Sequence, residues 1–207
     1  MSRHLHQSSR RRFLVGATGA MGVASAIGVA TPFVCALAPN EKVKQQRLPV
    51  QVDVSKIEPG AIVTVAWHGL PVWVLRRAKT SLLALEEHVS ILADPESSRS
   101  QQPDNTRNTF RSIRPEIAVY VGRCTHLGCT PNYRPLIASS ASEGMVSKEL
   151  GEDWYGGFFC PCHGSKFDLA GRVYKNMPAP TNLEVPPYRF ISDDVLEIGI
   201  TGDGDNV

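Results

Sequence analysis

Cys124-Thr125-His126-Leu127-Gly128-Cys129 and Cys160-Pro161-Cys162-His163-Gly164-Ser165 are the stretches that decide how this chain folds and what it holds. Four of the five cysteines fall in these two boxes, and each box adds a histidine. Thiolates beside imidazoles are metal-ligand chemistry. The residues alone leave two arrangements open. One is a Cys₂His₂ zinc site. The other is an iron–sulfur cluster with two thiolates on one iron and two imidazoles on the other. A Cys-x-His pair is tight for zinc-finger ligands, and a four-ligand zinc site leaves one cysteine per box unexplained. His68 and His88, outside the boxes, are read as structural residues.

Outward from the boxes, composition sets bounds. The chain has 207 residues, 42% hydrophobic and 20% charged, which argues for one or two folded domains rather than disorder. Residues 1–12 carry four arginines and no acid. The other 195 residues hold 18 Lys/Arg against 20 Asp/Glu, a balance of −2. A nearly neutral body excludes a nucleic-acid binder with a broad basic face.

Phe13 to Asn40 contains no charge. At ~1.5 Å per residue, Phe13–Ala38 would span about 39 Å, enough for a hydrocarbon core of ~30 Å. Before it stands Ser9-Arg10-Arg11-Arg12-Phe13-Leu14, which resembles a twin-arginine export signal, with Val15 where Lys is common. Such a signal carries a folded protein, which implies a cofactor inserted before export. Ala36-Leu37-Ala38 offers a possible cleavage pattern, but the length favours a retained anchor over a signal core of 7–15 residues. Gly16, Ala20, Ala24 and Gly28 line up at i, i+4 as a small-residue stripe. Cys35 is read as a buried apolar residue, not a lipidation site, because Val34 is too large. Basic residues stay cytoplasmic. The expected order is therefore a cytoplasmic basic tail (1–12), a transmembrane anchor (13–38), a flexible linker (39–50) and a periplasmic head (51–207). The protein would be single-pass in a bacterial inner membrane.

The head reads as β-rich. Val50–Val54, Ala61–Leu75, Ile117–Gly122 and Val195–Ile200 carry strand patterns, punctuated at Glu58-Pro59-Gly60 and Trp67-His68-Gly69. Residues 80–93 form the one helical pattern, with Leu82, Leu85, Val89 and Leu92 at spacings of three and four. The polar stretch 94–113 reads as surface loop, and residues 134–157 as a loop-like interruption between the boxes.

The two boxes closely resemble those of the Rieske iron–sulfur family, and most of the chain is similar to its quinol–cytochrome c reductase (cytochrome bc) branch. The likeness extends to the export-type anchor, Lys166-Phe167-Asp168 with Gly171-Arg172, Pro178-Ala179-Pro180 and Leu183-Glu184-Val185-Pro186. It implies an all-β Rieske fold: an antiparallel base domain with a cluster-binding subdomain inserted near 118–182, plus the N-terminal transmembrane helix. It implies one 2Fe–2S cluster, with Cys124 and Cys160 on one iron and His126 and His163 on the other. It also implies a Cys129–Cys162 disulfide, contributing ~3–4 kcal/mol by loop entropy in a compartment that permits the bond.

Charge explains why this ligand set suits quinol chemistry. Two ferric ions, two sulfides, two thiolates and two neutral imidazoles sum to zero; four thiolates would leave −2. An electron enters a neutral core more readily, so potentials rise from about −400 mV to roughly −150 to +300 mV. Even ~250 mV is about four decades in equilibrium constant for one electron. The resemblance makes His126 and His163 the catalytic pair, with exposed outer nitrogens, one of which accepts the quinol's hydrogen bond. Ser165 would donate to a bridging sulfide. Phe167 stands where many respiratory members have Tyr; lacking the hydroxyl, it implies a lower potential. Leu127 would be an apolar contact at the quinone-pocket rim, with ordinary loop packing as the alternative. Met177 stands where Gly is usual. The 33 residues between His126 and Cys160 favour the respiratory branch over Rieske ferredoxins and ring-hydroxylating oxygenases.

The implied function is electron transfer from quinol to a c-type cytochrome, contributing to proton translocation. The partners would be cytochrome b and a c-type cytochrome, in a dimeric complex whose head swings on the 39–50 linker. The rivals are a Rieske subunit of another exported oxidoreductase, such as arsenite oxidase, and a periplasmic zinc-binding structural module.

Overall fold

The computed structural model describes residues 3–38, 48–135, 150–151 and 153–199. The chain divides into two compact units, Met1–Lys44 and Gln45–Val207. The linker residues 39–47, most of the inter-box loop (136–149) and Ile200 lie outside the described residues.

The first unit is one helix, α1 (Arg3–Ala36), with Pro32 inside it. Its Ser9–Ala36 portion is long and apolar enough to cross a membrane by length and composition. Thr18 and Thr31 donate their hydroxyls to the carbonyls of Leu14 and Ile27, so neither presents a free hydroxyl on an apolar helix. Cys35 is exposed on this helix.

The second unit is built on antiparallel sheets. β1 (Val50–Asp53), β9 (Val195–Ile198) and β8 (Tyr188–Phe190) form one, in the order β1-β9-β8. β2 (Ile62–Trp67), β3 (Leu70–Arg76) and β4 (Ile117–Val121) form a second, with β3 central. Its register sets Val74 against Val63 and Val119. β4 is buried at every position, which is why its sequence is a continuous apolar run and not an alternation. Val72, Val74, Leu75, Val119, Leu196 and Ile198 form the centre of the core.

The third sheet, β5 (Asn132–Arg134), β6 (Gly157–Phe159) and β7 (Lys166–Phe167), falls in sequence between β4 and β8. The first box fills the connection from β4 to β5, and the second is the β6–β7 connection. Phe158 joins this sheet to the base: it stacks on Trp73 at 4.9 Å and meets Tyr120 edge-on at 5.9 Å.

Two sequence readings need correction. The helical pattern over 80–93 becomes α2 (Lys79–Glu87) followed by a 3₁₀ turn, Val89–Ile91. The helix stops because Leu92 must be extended to bridge Tyr174, while Ala93 N–H donates to Val173 O. The polar stretch 94–113 is not a surface loop throughout. Asp94, Ser97, Ser100, Gln102, Thr106, Arg111 and Ser112 are all buried. Most of their polar groups are met by hydrogen bonds inside the protein, Gln102 Nε2 being an exception, so polarity here does not mean exposure.

Candidate metal centre

The two boxes adopt matching turns. Gly128 N–H donates to Cys124 O at 3.0 Å, and Gly164 N–H donates to Cys160 O at 2.9 Å. Both glycines take positive φ, +85° and +77°, which a residue with a Cβ rarely adopts. Each turn is closed again by its leading cysteine: Cys124 N–H donates to Cys129 O and Cys160 N–H to Ser165 O.

Cys129 and Cys162 are disulfide-bonded, with Cα atoms 6.6 Å apart across 33 residues of chain. The bond ties the two turns together. The Sγ atoms of Cys129, Cys160 and Cys162 lie within 4.8 Å of one another, but the disulfide removes two of these as thiolate donors. Cys124 and Cys160 remain free and buried, at 3% and 2% exposure. Burial pushes the Cys124 thiol up, and the adjoining Cys160 adds to the rise. A thiol so placed as Cys124 ionises readily only when a cation is present to receive it. The rings of His126 and His163 meet edge-on with centroids 4.8 Å apart. His163 is exposed and His126 half-buried. The buried Nδ1 of His126 has no hydrogen-bond partner, an orphan that a metal would satisfy.

Further contacts hold the turns from behind. Thr125 Oγ1 donates to Thr181 O at 2.7 Å. Ser165 is fully buried, and its Oγ accepts from Ala179 N–H at 3.1 Å, so its own proton stays available to another acceptor. Ala179 belongs to Pro178-Ala179-Pro180, and the preceding half-buried Met177 packs against both buried clusters of the head. Phe167 is fully buried opposite Phe158, in the same core as Cys124 and Cys160. Leu127 is 72% exposed beside His126, so it is not packed into the loop. A groove of about 440 Å³ runs along the first box, lined in part by Arg123, Cys124, His126, Thr181 and Glu184.

Two thiols and two imidazoles would still suit zinc or a 2Fe–2S cluster. Comparison with known proteins decides between them. Residues 93–188 match the family described as Rieske [2Fe-2S] domain. Residues 1–40 match the one described as ubiquitinol-cytochrome C reductase Fe-S subunit TAT signal. The ubiquinol-cytochrome c reductase iron-sulfur subunit of Allochromatium vinosum is 47% identical over 190 residues, covering 92% of this chain and 88% of that protein. The subunit of the same name from Blastochloris viridis is 38% identical over 196 residues, covering 93% and 94%. The chain belongs to the ubiquinol-cytochrome c reductase iron-sulfur subunit family. Among solved structures, a chain titled hyperthermophilic respiratory Complex III aligns over 87% of this chain and 96% of its own, at 22% identity and a TM-score of 0.43.

The cofactor of a Rieske domain is a 2Fe–2S cluster, and the donors present fit it: two buried free thiols, two neighbouring imidazoles and an orphaned ring nitrogen. Sequence reasoning missed the support shell, Thr125 with Thr181 and Ser165 with Ala179. Those partners lie 56 and 14 residues apart, and no local pattern links them.

Proposed function

We propose that this Rieske protein is the membrane-anchored electron-transfer subunit of a cytochrome bc complex, with quinol–cytochrome c reductase as the activity of the whole. Cys124 and Cys160 would hold one iron, and His126 and His163 the other. When bound, the cluster supplies a one-electron acceptor. The protein's own residues do the rest. The exposed ring of His163 offers its outer nitrogen to a quinol hydroxyl, taking the hydrogen bond and the proton as the electron leaves the quinol. Leu127, next to His126 on the first turn, presents an apolar surface that keeps water from that contact. The disulfide, Thr125 and Ser165 hold both turns in place. Ser165 still has a proton to donate toward the cluster.

The observation that carries this reading is the family likeness over nearly the full chain, anchor included, with an exposed imidazole and leucine at the box turns. The remaining parts follow the same reading: a basic tail (1–12) inside the inner membrane, a span over 13–38, a linker over 39–50, and a periplasmic head with a cluster subdomain near 118–182. The partners are cytochrome b, a c-type cytochrome and a second copy of the complex. Low-temperature paramagnetic resonance on reduced membranes tests this. A Rieske-type signal that shifts with a quinone-site inhibitor, in material co-purifying with b-type haem, is the expected result. A colourless preparation without iron would overturn it.

A further inference from the structure

Three guanidinium groups lie inside the head. Arg77, Arg111 and Arg172 are 3%, 0% and 1% exposed. Arg172 is paired, its Nε donating to Asp168 Oδ2 at 2.7 Å. Arg77 and Arg111 meet no carboxylate among the described residues. Arg77 directs all five donors to neutral acceptors: the carbonyls of Leu169, Pro115 and Phe110, and the hydroxyls of Ser112 and Tyr120. Arg111 donates to Gln102 Oε1 at 2.8 Å and to the carbonyls of Ala170, Gly171 and Leu183. The other buried carboxylates are answered elsewhere. Asp94 accepts from Ser98, Arg99 and Ser100, and Glu197 from Gln51 and Arg189. Burial lowers Arg111 to about 10, which leaves it charged at neutral pH.

Both groups are bonded to the segment that follows the second box, Arg77 to Leu169 O and Arg111 to the carbonyls of Ala170 and Gly171. Arg111 clamps the Ala170–Gly171 turn and Leu183. Asp168, at the start of that turn, is three residues from Ser165, at most about 10 Å of chain. Asn182, next to Leu183, lines the groove that Cys124 and His126 line. Cys124 and Cys160 share one apolar core with Phe158, Phe167, Leu169 and Ala170, where charges are poorly screened.

We propose that Arg77 and Arg111 set the electron affinity of the metal centre, by holding near it two positive charges that are bonded to no carboxylate. They act as positioning residues for the turns and, through their field, favour the reduced state. This rests on the cluster being held at the two boxes.

Gln102 provides a mild test. Its Nε2 is buried without a partner, so Gln102→Glu loses no hydrogen bond, keeps the acceptor for Arg111 and adds the missing negative charge. In the intact membrane complex, redox titration followed by paramagnetic resonance should show the reduction equilibrium constant falling about tenfold, which is ~59 mV for one electron. Gln102→Met removes the acceptor without charge and should move it less than about twofold. Asp168→Asn leaves Arg172 unpaired and should move it the opposite way from Gln102→Glu. An unmoved midpoint in Gln102→Glu, or equal shifts in the Glu and Met variants, overturns the field role. Absence of a Rieske-type signal in the unmutated complex overturns instead the reading on which it rests.

Discussion

The base sheets and the box turns are held together by different forces. The base, β1–β4 with β8 and β9, is a dry interior of Val72, Val74, Leu75, Val119, Leu196 and Ile198, all essentially without exposure. Its stability comes from apolar area removed from water, spread over many side chains. The box end shares that interior through Phe158, Phe167, Cys124 and Cys160, but its turns carry the exposed His163 and Leu127 and need more than packing. It is held by discrete bonds: one disulfide, two hydroxyls on opposite loops, and arginines reaching carbonyls up to 92 residues away. Distributed packing tolerates small losses. A bond-held site either keeps its geometry or loses it, and metal ligands need that geometry.

The largest expected effect breaks the box end alone. Cys129→Ser should cost ~3–4 kcal/mol and strip the cluster, read as lost iron while circular dichroism still reports the β base. Retained iron with parental stability would erase the distinction. Asp94→Asn comes next. Burial alone would raise this carboxyl, but donors from Arg99, Ser98 and Ser100 outweigh it and hold the value below the ordinary 3.8. A depressed folded value means the stabilisation is present above the unfolded value and is lost as pH falls through the folded one. The variant should therefore lose about 1–3 kcal/mol at pH 7, with the gap to the parent closing only below about pH 4 in denaturant titrations. Ile198→Val, in the base, should cost about 0.5–1.5 kcal/mol by the same titration and leave the paramagnetic signal unchanged. The smallest change in stability is expected from Phe167→Tyr. There the comparison is sharpened in redox terms: a hydroxyl reaching a ligand sulfur should raise the electron affinity several-fold, and an unchanged midpoint would show that no sulfur lies within its reach.

How much could be read without coordinates follows the same division. β3 and β4 were plain in their apolar runs, and the boxes were plain because metal ligation demands fixed residue types at fixed spacing. The 94–113 segment reads as surface because most of its buried polar groups bond one another and the backbone indoors, which no hydropathy pattern distinguishes from solvation. The helix over 80–93 was overextended because periodicity records which side chains face inward. It does not record that Leu92 must leave the helix to pair with Tyr174.

The order of residues by itself gave away the two Cys/His boxes, the export-type leader, the apolar strands of the base and the family resemblance, since each is written in neighbours along the sequence. Only the folded chain decided that Arg77 and Arg111 are buried among neutral acceptors, that Ser165 faces Ala179, and that His163 and Leu127 are exposed. Those facts depend on contacts between residues tens of positions apart, and they exist only once the sheets have packed.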